Sequence, residues 1–232
     1  MSADEFGTEP VATYDLTHPL DAGTPTYPGD PPVELDPHAT VEADGYRVTD
    51  LRLGSHAGTH VDAPSHTEPN GASLAAFDPA DFVFDARLVD CGPCDSREAI
   101  GPEAVPESTD AELLLFRTGW AAHWGEARYW DHPYLGPAAA ERCADLGVAV
   151  GLDAASPDPT PVGHGELSVE DVDTADEPDG VPAHRALLGR GLLVVENLTG
   201  LDRVPERFEL RAYPLGIDAD GSPVRAVAVT AE

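Results

Sequence analysis

The stretch Ser55-His56-Ala57-Gly58-Thr59-His60-Val61-Asp62-Ala63-Pro64-Ser65-His66 constrains this chain more than any other part of it. Neutral imidazole and carboxylate are preferred ligands of divalent transition metals, so three histidines and an aspartate packed this densely point to a metal site. His56 and His60 are four residues apart, but the glutamate that follows the first histidine in the helical zinc motif is absent. Gly58 disfavours a helix and Pro64 breaks one. The stretch therefore reads as an irregular loop tied together by metal. Ligands of this type, with no cysteine among them, suit a catalytic ion better than a structural one. Asp62 has two oxygens and can bridge two ions. His66 stands outside the tightest group and is the best-placed acid/base, because imidazole titrates near neutrality.

Charge narrows the setting in which such a site works. Asp and Glu number 43 against 13 basic residues, a formal net charge of -30, and every basic residue is arginine. So acidic a surface repels phosphate backbones and anionic lipid, which argues against nucleic acid or membrane surfaces as partners. It also repels itself in dilute buffer, and concentrated salt screens that repulsion. We read the composition as that of a halophilic cytosolic protein. No apolar run approaches the length of a membrane span, and the acidic N-terminus does not resemble a signal peptide.

Along the chain, strands outnumber helices and no linker divides it, so residues 1–232 are expected to form one domain with a loose tail at 1–10. Strands are predicted over 11–20, 46–53, 82–89, 113–116, 148–152, 192–195, 208–215 and 224–229. Pro137 to Leu146 reads as a helix opened by proline and stopped by Gly147, and Ala183 to Leu188 as a second, ended by Gly189. Residues 155–182, with the acidic stretch 157–181 at their centre, lack any period and predict a long surface excursion. Tyr27 sits in a proline-stiffened loop that can set an aromatic ring at a pocket mouth.

His184, opening the second helix, and Glu196, following a strand, form a second candidate set, since strand ends in layered α/β folds commonly face the ligand crevice. His18, His38, His123, His132 and His164 remain open as ligands. Cys91-Gly92-Pro93-Cys94 has the spacing of a thioredoxin-like redox pair, but Asp90 and Asp95 flank it and raise thiol pKa values where a reactive thiolate needs them lowered.

Taken together these motifs resemble the cyclase family of metal-dependent hydrolases, which includes bacterial kynurenine formamidases and isatin hydrolases. His56 to His66 matches its signature His-x-Gly-Thr-His-x-Asp-x-Pro-x-His. Asp15-Leu-Thr-His-Pro-Leu with Pro25-Thr-Tyr-Pro-Gly-Asp30, then Gly151-Leu-Asp-Ala-Ala-Ser156, Pro182-Ala-His184 and Leu193-Val-Val-Glu196-Asn-Leu, are similar to its other motifs. The resemblance implies an α/β fold, a three-layer β/β/α swivelling domain, strand-rich with few helices. It implies two divalent ions, zinc or manganese, held by His56, His60 and Asp62 and by Asp62, His184 and Glu196. It makes His66 the catalytic acid/base and Tyr27 a substrate-binding residue in a slot that formamidases fill with tryptophan. The implied reaction is hydrolysis of a small-molecule aryl formamide such as N-formylkynurenine, in tryptophan catabolism, by a homodimer or larger assembly. A cyclic amide or lactone substrate, or a metal-binding scaffold without turnover, are the alternatives.

Overall fold

The computed structural model describes residues 11–168, 170 and 172–231, so the tail expected at 1–10 lies outside the described residues. In chain order the elements are β1 (Val11–Asp15), β2 (Glu34–Ala39), α1 (Val41–Asp44), β3 (Val48–Arg52), β4 (His60–Asp62), β5 (Val83–Asp90) and β6 (Ala99–Ile100). There follow β7 (Leu113–Arg117), β8 (Tyr134–Leu135), α2 (Pro137–Leu146), β9 (Ala149–Leu152), α3 (Pro182–Leu188), β10 (Val194–Glu196), β11 (Arg207–Pro214) and β12 (Gly221–Ala231).

Eight strands form one sheet in the order β1-β12-β11-β5-β7-β9-β10-β4, and β4 pairs again with β12. That second pairing closes the strands from β12 to β4 into a barrel-like ring, with β1 added outside on β12. β5, β7, β9 and β10 run parallel, and α2 and α3 supply the crossovers from β7 to β9 and from β9 to β10. Parallel neighbours need such crossovers, whereas the antiparallel β11 and β12 are joined by a short turn.

The apolar run Leu113-Leu114-Leu115-Phe116 shows how the layers arise. Successive strand side chains point to opposite faces. Leu113 and Leu115 enter one core with Val61, Val195, Leu210 and Ala226, inside the ring. Leu114 and Phe116 enter the other with Val150, Val194, Ala140 and Leu187, between the sheet and α2 and α3. A strand buried on both faces has no reason to alternate, which is why this one reads as continuous apolar sequence. The ring contributes two β layers and the helices a third, the strand-rich β/β/α architecture expected from the resemblance.

Four local expectations differ. The histidine stretch is not wholly irregular: His60–Asp62 is a short strand, hydrogen-bonded to β10 on one edge and β12 on the other. Pairing on both edges overrides the breaking effect of Gly58 and Pro64, which fall just outside it. The first strand ends at Asp15, beyond which Thr17 makes only an isolated bridge to Leu198. β2 was not expected, because Glu34-Leu-Asp-Pro-His-Ala39 lacks apolar alternation; it forms as the partner of β3. The excursion leaves the protein interior late: Ala155, Ser156, Pro157, Asp158 and Thr160 are buried.

Candidate metal centre

β4 places His60 and Asp62 on one face and sends Val61 into the core. β10 lies antiparallel beside it with Glu196 directly opposite His60. His184 comes from the first turn of α3 and His56 from the turn before β4. Gly58, at φ 66°, supplies the left-handed backbone that turns the chain between His56 and His60. A side chain at Gly221 would put its Cβ 2.6 Å from Cε1 of His56, so the β12 backbone can approach that ring only as glycine.

The side chains converge around Asp62. Its Oδ1 is 2.7 Å from Nδ1 of His56 and 3.2 Å from Nε2 of His60. Its Oδ2 is 3.5 Å from Nε2 of His184, which lies 3.1 Å from Oε1 of Glu196. Oε2 of Glu196 is 3.2 Å from Nε2 of His60. The outer nitrogen of each ring is also occupied. Nδ1 of His60 donates to the Gly58 carbonyl at 2.8 Å, Nδ1 of His184 contacts Asp158 at 2.8 Å, and Nε2 of His56 contacts Asp220 at 3.1 Å. Such partners fix ring orientation and leave the inner nitrogens facing the carboxylates.

Burial makes this cluster costly unless positive charge is supplied. Desolvation pushes the carboxyl groups of Asp62 and Glu196 up, but the surrounding histidines outweigh it and hold both below the ordinary carboxylate range. Desolvation likewise pushes His60 and His184 down; Asp62 and Glu196 reverse the shift for His60, and Asp158 first, with Asp62 and Glu196, reverses it for His184, so both imidazoles are held high. Two buried carboxylates demand cationic charge, which a divalent ion can provide. His60 Nε2, Asp62 Oδ2 and Glu196 Oε1 are buried, and although neighbouring side chains lie 3.1 to 3.5 Å away, none of the three makes a hydrogen bond of proper geometry. Buried polar atoms are ordinarily satisfied, so three converging orphans of the right donor types fit a metal ion.

His66 stands at the edge of the cluster, its side chain 31 % exposed. Its ring centroid is 4.1 Å from that of His56 and 5.4 Å from that of His184. Burial lowers its pKa below the ordinary imidazole value, and His56 and His184 add to that against the pull of Asp62. A cavity of about 280 Å³ opens here, lined also by Tyr27, Asp30, Trp130 and Asn197. Tyr27 meets Trp130 edge-to-face, with ring centroids 6.0 Å apart.

The remaining histidines go elsewhere. His18 stacks on Trp124 at 4.1 Å, His123 pairs with Glu126, and His132 is held by the Pro133 carbonyl and Thr160. His38 and His164 are exposed. The thiols of Cys91 and Cys94 are pushed up to about 11 and about 12, by burial first and by neighbouring carboxylates second.

Sequence reading did not find Asp220, Asn197 or Trp130. Asp220 lies in the β11–β12 turn, a place where aspartate is ordinary. Asn197 is a buried non-glycine residue at φ 56°. Its Nδ2 donates to the Gly58 carbonyl at 3.1 Å, and its Oδ1 accepts from the Tyr129 hydroxyl at 2.7 Å. Its position directly after Glu196 was the only available signal.

Fold and site together suit a hydrolase whose clustered side chains could hold a divalent metal. Residues 14–159 match the family described as putative cyclase. The chain is 35% identical to a kynurenine formamidase of Paracidovorax citrulli, over 95% of this chain and 97% of that protein. It is 33% identical to a kynurenine formamidase of Salinibacter ruber, over 94% and 97%. Among solved structures it is similar to an isatin hydrolase bound to the product analogue thioisatinate, with TM-score 0.80, 22% identity and coverage of 96% and 93%. The chain belongs to the cyclase family.

Proposed function

We propose that this protein hydrolyses an aryl formamide, N-formylkynurenine being the leading substrate, with His66 as acid/base and His56, His60, Asp62, His184 and Glu196 as metal ligands. The observation that carries this is the convergence of three orphaned buried ligand atoms beside a cavity with aromatic walls. The kynurenine formamidase relatives favour the formamide over a cyclic amide, because they match over nearly the full chain at higher identity than the isatin hydrolase.

Two ions, zinc or manganese, suit the ligand set, since each oxygen of Asp62 faces a different group: Oδ1 meets His56 and His60, and Oδ2 meets His184. A divalent cation here supplies a Lewis acid that polarises a carbonyl and acidifies water. The aryl ring of the substrate packs against the cavity wall that Tyr27 and Trp130 form together, in the same cavity that His66 lines. His66, neutral near pH 7 because its pKa is lowered, accepts a proton from the attacking water. It then gives a proton to the departing aniline nitrogen as the C–N bond breaks, releasing formate and the free amine. Asp220 contacts its Nδ1 at 3.4 Å and keeps Nε2 as the working atom.

Protein reloaded with zinc or manganese is assayed on N-formylkynurenine and on isatin. Turnover of the formamide is expected, and turnover of isatin alone would replace this reading with the cyclic-amide one. His66→Ala is expected to abolish turnover with metal content retained.

The setting we infer is a salt-rich cytosol. Among the described residues no helix is long and apolar enough to cross a membrane. A dimer or tetramer is supported by the β2–β3 hairpin, where every residue of β3 is exposed and Tyr46 and Leu51 are 61% and 59% exposed. A two-stranded hairpin is marginal without a packing partner, and a second copy of the chain can supply one. Light scattering of Leu51→Asp against the parent tests this; an unchanged mass contradicts it.

A further inference from the structure

The candidate ligand His184 owes its orientation to a residue on a different segment. Asp158 lies between β9 and α3, is 2% exposed, and spends both oxygens on the start of α3. Its Oδ1 accepts from the Ala183 N–H at 2.8 Å. Its Oδ2 accepts from the His184 N–H at 2.9 Å and sits 2.8 Å from Nδ1 of the same residue. A carboxylate accepts and does not donate, so Nδ1 of His184 must carry a proton. The lone pair of the neutral ring is then on Nε2, the atom that faces Asp62 and Glu196.

We propose that Asp158 is a positioning residue that sets the tautomer and direction of His184 toward a divalent cation shared with Asp62 and Glu196. The proposal rests on the metal reading above. It gives one buried carboxylate two linked tasks, holding the backbone at the helix start and holding the ring that leaves it. The arrangement also explains why the segment after β9 is buried through Thr160 before it turns out to solvent. Asp158 has to be carried into the interior to reach α3.

Replacing Asp158 by asparagine leaves one acceptor oxygen for donors on two sides and removes the negative charge. The amide must turn an N–H either toward Ala183 N–H or toward the His184 ring. Outer partners of metal-bound histidines are typically worth about 10- to 100-fold in metal affinity. The test is zinc binding to metal-free protein by chelator competition, with bound zinc per chain counted, for the parent, Asp158→Asn, His184→Ala and the double variant. Asp158→Asn is expected to weaken one zinc by at least about tenfold. The double variant is expected to bind zinc no worse than His184→Ala, since residues acting through one another are not additive.

Parent-like zinc binding by Asp158→Asn, with His184→Ala impaired, overturns the positioning role alone. Additive losses overturn it too, because Asp158 then acts by another route. Parent-like binding by His184→Ala overturns the metal reading on which the proposal stands. Circular dichroism melts of the metal-free proteins check folding. Should the amide variant not fold, Asp158→Ser takes its place: the hydroxyl still accepts from backbone N–H groups but leaves Nδ1 of His184 without its anion, and the same zinc comparison decides.

Discussion

The carboxylate of Asp220 lies 3.4 Å from Nδ1 of His66, joining two residues 154 positions apart in the chain. The same oxygen lies 3.1 Å from Nε2 of His56, so one carboxylate steadies both the candidate acid/base and a candidate ligand. Contact with the two imidazoles outweighs its desolvation and holds Asp220 at about 2, so it is ionised throughout the neutral range. Asp220→Asn keeps the shape and removes the charge. Its kcat is expected to fall by about two orders of magnitude, the low end of general acid–base contributions. The deficit should persist at saturating zinc; full recovery on adding zinc would mean that Asp220 serves His56 alone.

Asn197 makes a separable prediction about stability. Its left-handed backbone costs a non-glycine residue roughly 1–2 kcal/mol, and here hydrogen bonds to Gly58 and Tyr129 offset that cost. Asn197→Gly loses the bonds and relieves the backbone, whereas Asn197→Ala loses the bonds and keeps the strain. In urea unfolding the glycine variant should be the more stable by about 1 kcal/mol. An alanine variant equal to it would show that the backbone conformation is not what asparagine secures.

The Cys91/Cys94 pair is expected to be chemically quiet. With thiols at about 11 and about 12, little thiolate exists near pH 7.5, and the fraction grows only as pH rises toward those values. Alkylation by iodoacetamide should therefore be slow at pH 7.5 compared with a free peptide cysteine and should accelerate steadily above pH 9. Fast labelling at neutral pH would revive the redox reading of Cys-Gly-Pro-Cys.

Salt should matter more here than in an ordinary globular protein. Arginines pair locally, as Arg225 does with Asp15 and Arg97 with Glu177, but all 13 of them still leave a net charge of -30. Raising potassium chloride from about 0.1 M to about 1 M shortens the screening length from about 10 Å to about 3 Å. The melting temperature is expected to rise on the order of 10 °C, corresponding to about 3 kcal/mol for a chain of this size. Equal melting at both concentrations would remove the halophilic interpretation.

Much of this molecule was legible before the structure. The buried strands β7 and β9, the helix over 137–146 and the dense histidine stretch carry local signals, an apolar run, a proline start with a glycine stop, and clustered imidazoles, that need no tertiary context. β2 was not legible, because a strand that covers no core carries no apolar period. The short strand β4 was hidden for a different reason: His-Val-Asp carries no strand signal of its own, and only pairing with both β10 and β12 makes these residues a strand.

By itself the sequence determined the chemical inventory, namely which residues can bind metal, that the solvent-facing charge is overwhelmingly negative, and that strands dominate. The tertiary structure decided which of those residues meet. Register across β10 and β4 sets Glu196 opposite His60, the β11–β12 turn delivers Asp220 to His56 and His66, and a buried detour brings Asp158 to His184. Hydrogen-bonded partners separated by many tens of residues leave no periodic trace in a single sequence, since their selection acts on a distance in space and not on a spacing along the chain.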